Sequence, residues 1–255
     1  MRCRVIPTLL LTDGGLYKTR RFEKPSYVGD PVNAIRIFNE KEVDELMVLD
    51  ISASKRGRRP DFPMVEQLAG ECFMPLCYGG GVGSVEDART LFSLGVEKVC
   101  LQDAALRDLS IVTSIADRFG SQSVVVSCDV HRSWLGSRRM RAASSGRNVA
   151  ADWKQFIVAA TRAGAGEILL TAVDHEGTMS GMDLDLIREA ASAVSVPLIA
   201  AGGVGTLSDI RKAADAGASA VGIGAYFVYH GPRRAVLITY PTQVQLEQLF
   251  AERER

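Results

Sequence analysis

The chain has 255 residues, 47% of them hydrophobic, enough to bury a substantial core. Its 30 Lys and Arg balance 30 Asp and Glu, which argues against nucleic acid as a partner and means that any anion site has to be local. No apolar run reaches transmembrane length, and the start "MRCRVIPTLLL" lacks the apolar core and cleavage site of a signal peptide. The five cysteines form no CxxC pair and no metal-ligand spacing, and His131, His175 and His230 make no metal trio. The expectation is a protein of the reducing cytoplasm, with no membrane segment, no metal and no cofactor.

In chain order, short apolar runs alternate with helical patterns: "RVIPTLLL", "DELMVLDIS", "MPLCYGG", "EKVCLQ", "SVVVSCDV", "GEILLTAVD", "VPLIAAGG" and "ASAVGIGA". Runs that are apolar throughout suit parallel strands covered on both sides. Eight βα units in this length predict a (β/α)8 TIM barrel, an α/β fold in one domain, 1–255. A repeat sharpens that reading. "PLCYGGGVGSVEDARTLFSLGVEKV" at 75–99 aligns without gaps on "PLIAAGGVGTLSDIRKAADAGASAV" at 197–221, and the same offset pairs Glu45 with Glu167. The barrel is therefore expected to consist of two duplicated half-barrels. A doubly wound open sheet would also alternate β and α, but it fits two matching halves less well.

The turns "GGGVGS" (79–84) and "AGGVGT" (201–206) each join a strand to a helix that begins with a hydroxyl cap. Such turns expose N–H groups that suit phosphate oxygens, so two copies suggest two phosphate sites; tight βα turns also need glycine for shape alone. Carboxylates close several strands: Asp50 the second, Asp129 the fifth, with Asp174 and Glu176 after the sixth. At a barrel mouth such groups serve as acid or base, or cap a loop. Asp129 is the strongest candidate, because an unpaired carboxylate in "VVVSCDV" is costly without a purpose. The stretch "HRSWLGSRRMRAASSGRN" (131–148) carries Arg132, Arg138, Arg139, Arg141 and Arg147. It reads either as a solvated loop or as a basic loop that meets an anionic substrate.

The segments "RVIP", "VDELMVLDISAS", "GGGVGSVEDAR", "RAGAGEILLTAVDHEGTMSGMDLDLI" and "IAAGGVGTLSDI" closely resemble the cyclase subunit of imidazole glycerol phosphate synthase, from about residue 2 to 231. The resemblance implies a barrel that takes ammonia from a HisH-like glutaminase subunit docked on its amino-terminal face. It implies an ammonia gate of one Arg, two Glu and one Lys, matched by Arg4, Glu45, Lys98 and Glu167. A salt-bridged plug of the barrel floor is the plainer alternative for these four. It also implies a phosphate-bearing small-molecule ligand. The substrate-binding positions that match are Lys18, Asp50, Gly80, Gly81 and Asp174, together with Glu176, Gly177, Gly202, Gly203 and Gly224.

The catalytic face departs from the family pattern. Of the two strand-end aspartates that act as acid and base there, Asp129 matches one and Leu10 stands at the other. Gln102 and Asp103 replace an Asn-Thr pair at the first phosphate loop, and Ala201 and Ala225 replace two ligand-holding serines. The family activity, a lyase-type ring closure in histidine biosynthesis, is therefore in doubt. The expectation is a divergent paralogue of the surface-polysaccharide type, an ammonia-channelling or ammonia-using subunit that serves amidination of a nucleotide-linked sugar, with a separate sugar amidotransferase taking part. The alternatives are a genuine cyclase, in which Asp129 works with Asp50, Asp174 or Glu176, and a non-catalytic activator of a glutaminase.

Overall fold

The computed structural model describes residues 2–134 and 136–251; residues 1, 135 and 252–255 lie outside them, so the arginine-rich stretch lacks only Leu135. Eight parallel strands form the barrel: β1 (Arg4–Thr12), β2 (Leu46–Asp50), β3 (Leu76–Gly79), β4 (Lys98–Leu101), β5 (Val124–Arg132), β6 (Glu167–Ala172), β7 (Leu198–Ala201) and β8 (Ala220–Ile223). Each pairs with the next, and β8 returns to β1 through Arg4↔Ala220, so the sheet has no free edge in the ring. All eight predicted runs become these strands.

Helices α1 (Pro31–Glu40), α2 (Phe62–Glu71), α3 (Val85–Ser93), α4 (Ser110–Phe119), α5 (Trp153–Arg162), α6 (Leu184–Ala193), α7 (Leu207–Asp215) and α8 (Gln243–Ala251) surround it. Their starts are set by local chemistry. Asp30, Asp61, Ser84, Asp152, Asp183 and Thr206 each accept a backbone N–H from three residues on, a contact that contributes about 1 kcal/mol per helix. The apolar faces, Ile35, Phe38, Leu91, Ile115, Ile157, Ile187 and Ile210 among them, pack on the outward-pointing strand residues.

Alternation along the strands fills the interior in layers. Ile6, Met47, Cys77, Cys100, Val125, Leu169, Ile199 and Ala220 form a separate apolar cluster inside the ring. Among the described residues, no helix is long and apolar enough to cross a membrane.

Beyond the barrel, the two longest strands carry antiparallel hairpins that the apolar pattern does not signal. Gly15–Arg20 pairs back onto β1 and then with Glu23–Gly29. Arg138–Arg141 pairs back onto β5 and then with Asn148–Val149. The arginine-rich stretch is thus a folded hairpin and not a simple solvated loop. The hairpins meet over the mouth, with the Arg141 guanidinium 5.9 Å from the centre of the Phe22 ring.

Candidate functional site

At the amino-terminal end the four charged side chains meet. Arg4 opens β1, Glu45 immediately precedes β2, Lys98 opens β4 and Glu167 opens β6. Arg4 donates to Glu45 at 2.5 Å and to Glu167 at 2.9 Å. Lys98 Nζ lies 2.8 Å from Glu45 and 3.2 Å from Glu167. Charges of alternating sign therefore close a ring in which each group has two partners. Burial opposes the charge on Arg4, but Glu167 and Glu45 outweigh it and hold the guanidinium above its ordinary pKa. One oxygen, Glu167 Oε2, is buried with no hydrogen-bond partner among the described residues.

Two residues further along each strand the interior turns apolar: Ile6 follows Arg4, Met47 follows Glu45, Cys100 follows Lys98 and Leu169 follows Glu167. This layer separates the ring from a cavity of about 800 Å³ at the carboxyl ends of the strands. A charged ammonium ion would lose its hydration there at high cost, whereas neutral ammonia would not.

Leu10 and Asp129 both line the cavity. Each sits where its strand receives a hairpin, Leu10 in register with Tyr17 and Asp129 with Arg141. Asp129 is 4% exposed. Burial raises its pKa to about 6, hydrogen bonds from Gln102, Thr171 and Ser127 hold it down, and nearby Asp103 adds to the rise. Gln102 Nε2 donates to Asp129 at 2.6 Å, while Gln102 Oε1 accepts the N–H of Ala143 at 2.6 Å. Ser144 donates its hydroxyl to Asp103. Gln102 and Asp103, which directly follow β4, thus tie the β5 hairpin to the mouth.

The other acidic candidates are committed elsewhere. Asp50 lines the cavity, and one of its oxygens accepts from Ser52 N, Ser52 Oγ and Ala53 N. Glu176 is paired with Lys18, a pair 8% exposed on each side, and also accepts from Thr19 Oγ1 at 2.9 Å. Asp174 is not brought to the cavity wall. Its carboxylate accepts the N–H of Arg132 at 2.6 Å and its carbonyl accepts from Arg21 Nε at 3.0 Å, so it joins the two hairpin-bearing loops. Of the five loop arginines, only Arg141 lines the cavity. Arg132 and Arg138 reach Asp183 at the start of α6, and Arg138 also reaches Glu189, which takes them away from any ligand in the mouth.

Gly80, Gly81, Gly177, Gly202, Gly203 and Gly224 all line the cavity. Close approach of backbone fixes several of them. A Cβ on Gly80 would lie 2.3 Å from Asp50 O, and one on Gly177 would lie 2.2 Å from Thr19 O, at φ values of +111° and +68°. Thr171 and Ser127 escaped sequence reasoning as partners of Asp129. Both sit two residues beyond an apolar interior position, Leu169 or Val125, and that spacing is the signal that could have placed them in the mouth.

Because Gln102 bridges Asp129 and the hairpin, Gln102→Ala should free residues 142–149. We expect amide exchange there to rise by about tenfold, as for loss of a hydrogen bond to a charged group. Unchanged exchange would show that the remaining anchors, Arg138 to Asp183 and Ser144 to Asp103, hold the hairpin without Gln102.

Comparison with known proteins adds kinship to this geometry. Residues 4–232 match the model of a family described as histidine biosynthesis protein. The chain belongs to that family. It is a HisF-like member. A Pseudomonas aeruginosa protein provisionally named imidazole glycerol phosphate synthase subunit hisF2 is 49% identical over 248 residues, 97% of this chain and 99% of that protein. A Leptospira interrogans protein, provisionally named as subunit HisF of the same synthase, is 43% identical over 252 residues, 98% and 99% of the two chains. Imidazole glycerol phosphate synthase subunit HisF of a Nocardioides species is 41% identical over 227 residues, 86% and 87% of the two. In this HisF-like chain the charge ring lies at the floor of the barrel and the cavity at its mouth.

Proposed function

We propose that this chain is the ammonia-conducting or ammonia-using barrel subunit of a glutamine amidotransferase complex. A HisH-like glutaminase docks on the amino-terminal face. The mouth serves amidination of a nucleotide-linked sugar, with a sugar amidotransferase as a further partner, and not ring closure to imidazole glycerol phosphate. One observation carries the reading: a complete, interlocked charge ring at the floor coexists with a mouth in which Leu10 lies in the cavity with Asp129. A leucine cannot move a proton, whereas a ring of paired charges around an apolar interior suits the passage of a small neutral nucleophile.

The second reading, a cyclase with a rearranged acid–base pair, requires a partner for Asp129. Asp50, Glu176 and Asp174 are each held in turns, ion pairs or loop contacts, which disfavours it. A docking protein that only activates glutaminase would need no cavity of about 800 Å³ lined by two glycine turns. The test supplies the purified chain with ammonium salt and the histidine-pathway substrate of the family. The expected rate is at least about a hundredfold below that of a two-aspartate cyclase, the lower bound for loss of a general acid or base. A normal rate, or rescue of a cyclase-deficient histidine auxotroph, would refute the proposal.

A further inference from the structure

The duplication allows the two sides of the mouth to be compared position by position. Gly81 corresponds to Gly203, Gln102 to Gly224 and Asp103 to Ala225. On the second side the space beside Gly224 is taken by Lys18: a Cβ on the glycine would lie 2.7 Å from Lys18 Cε. On the first side these positions carry polar side chains of their own. Gln102 holds Asp129 and Ala143, and Asp103 holds Ser144. The N–H of Gly81 is donated to Ser54 Oγ at 3.2 Å, whereas the bond from Gly83 N to Asp87 Oδ2 at 3.0 Å is matched on the second side by Gly205 N donating to Asp209 Oδ2 at 3.0 Å. A phosphate entering this turn would have to displace Ser54 and approach the Asp103 carboxylate. Both costs act against it.

Next to this filled turn the cavity has a basic rim. The segment between β2 and α2 lies directly on the turn, with Arg58 O 2.6 Å from where a Gly81 Cβ would sit. It brings Lys55, Arg58 and Arg59 to the cavity, and the short helix Asp103–Arg107 brings Arg107. Arg59 is engaged by Asp87 and Arg58 reaches Asp13 at 3.3 Å. Lys55 and Arg107 are exposed and have no ion pair among the described residues. Away from this rim the cavity is lined by Lys18, paired with Glu176, and by Arg141, which lies over the Phe22 ring.

We propose that the first-half glycine turn no longer receives a phosphate, and that Lys55, Arg58 and Arg107 at its rim bind the diphosphate group of a small-molecule diphosphate ester. Long cationic side chains on separate loops suit charge spread over two phosphoryl groups, whereas a backbone turn suits one compact phosphate. The inference rests on reading the mouth as the ligand-bearing end. It requires neither ammonia nor a glutaminase.

The experiment is calorimetric titration of the full chain with inorganic pyrophosphate and, separately, with inorganic phosphate at low salt. Pyrophosphate should bind about tenfold more tightly than phosphate, and the K55Q/R107Q variant should lose about tenfold or more of the pyrophosphate affinity, as for loss of a charge-assisted hydrogen bond. Phosphate affinity should change less than about twofold, since a compact phosphate is held by a backbone glycine turn and not by these two side chains. Both substituted residues are exposed, so the melting temperature should be retained and serves as the control for folding. Two equivalents of phosphate per chain, no binding of pyrophosphate, or pyrophosphate binding indifferent to the double substitution would each overturn the proposal. Any of these would leave the ammonia role untouched, and loss of glutaminase coupling would leave the diphosphate subsite untouched.

Discussion

Glu45→Ala should destabilise the barrel by about 3 kcal/mol, the lower end of what removing one member of a buried charge network costs. Glu45 is 2% exposed and binds Arg4 with one oxygen and Lys98 with both. Its loss leaves two cations on one carboxylate, Glu167. The lower end applies because the Arg4 side chain keeps 26% of its exposure, which lets water offset part of the charge. For a chain of this size the shift in melting temperature is about 6–12 °C, measured by calorimetry. The double variant Glu45→Ala with Lys98→Ala retains Arg4 paired with Glu167 and should recover part of the loss. A double variant less stable than the single one would mean that packing, and not charge balance, sets the cost.

Asp129→Asn should change how stability depends on pH. The folded-state pKa of Asp129 is about 6, above the ordinary 3.8, chiefly through burial. Between those values the folded state holds a proton that the unfolded chain has released. This group's contribution is therefore fully present below about pH 4 and disappears as pH rises through about 6, a loss of about 3 kcal/mol by pH 8. The amide of the variant cannot ionise, so the variant should be the more stable of the two at pH 8 by up to about that amount, with the difference vanishing near pH 4. Denaturant titrations at pH 4, 6 and 8 measure it. A wild type that gains stability between pH 4 and 8 relative to the variant would show that Gln102, Thr171 and Ser127 stabilise the carboxylate more than burial penalises it.

The barrel was legible because parallel strands covered on both sides must be apolar throughout, and because the duplicated halves repeat the same residues at the same offset. The floor ring was legible only through kinship; nothing in the spacing of Arg4, Glu45, Lys98 and Glu167 places four charges in contact, since they come from strands far apart in sequence. The β5 hairpin was not legible. Its inner strand "RRMR" has one apolar residue, Met140, which is 1% exposed, and its long-range anchors are polar, among them Arg138 to α6, Gln102 to the Ala143 backbone and Ser144 to Asp103. Such long-range polar anchoring leaves no periodicity. Asp174 looked like a mouth residue because it ends a strand run, but the bend at Val173–Gly177 turns it toward Arg132 and Arg21.

The two ends of the barrel meet in one assay, glutamine hydrolysis by the HisH-like glutaminase alone, with the wild-type chain, and with Glu45→Ala. Wild-type chain should raise glutamate release by at least about tenfold, the effect of a coupling free energy of about 1.4 kcal/mol between subunits. The variant should lose most of that rise at a temperature where it remains folded. Glutaminase turnover that ignores the wild-type chain altogether would contradict the assignment of the charged floor as an ammonia inlet.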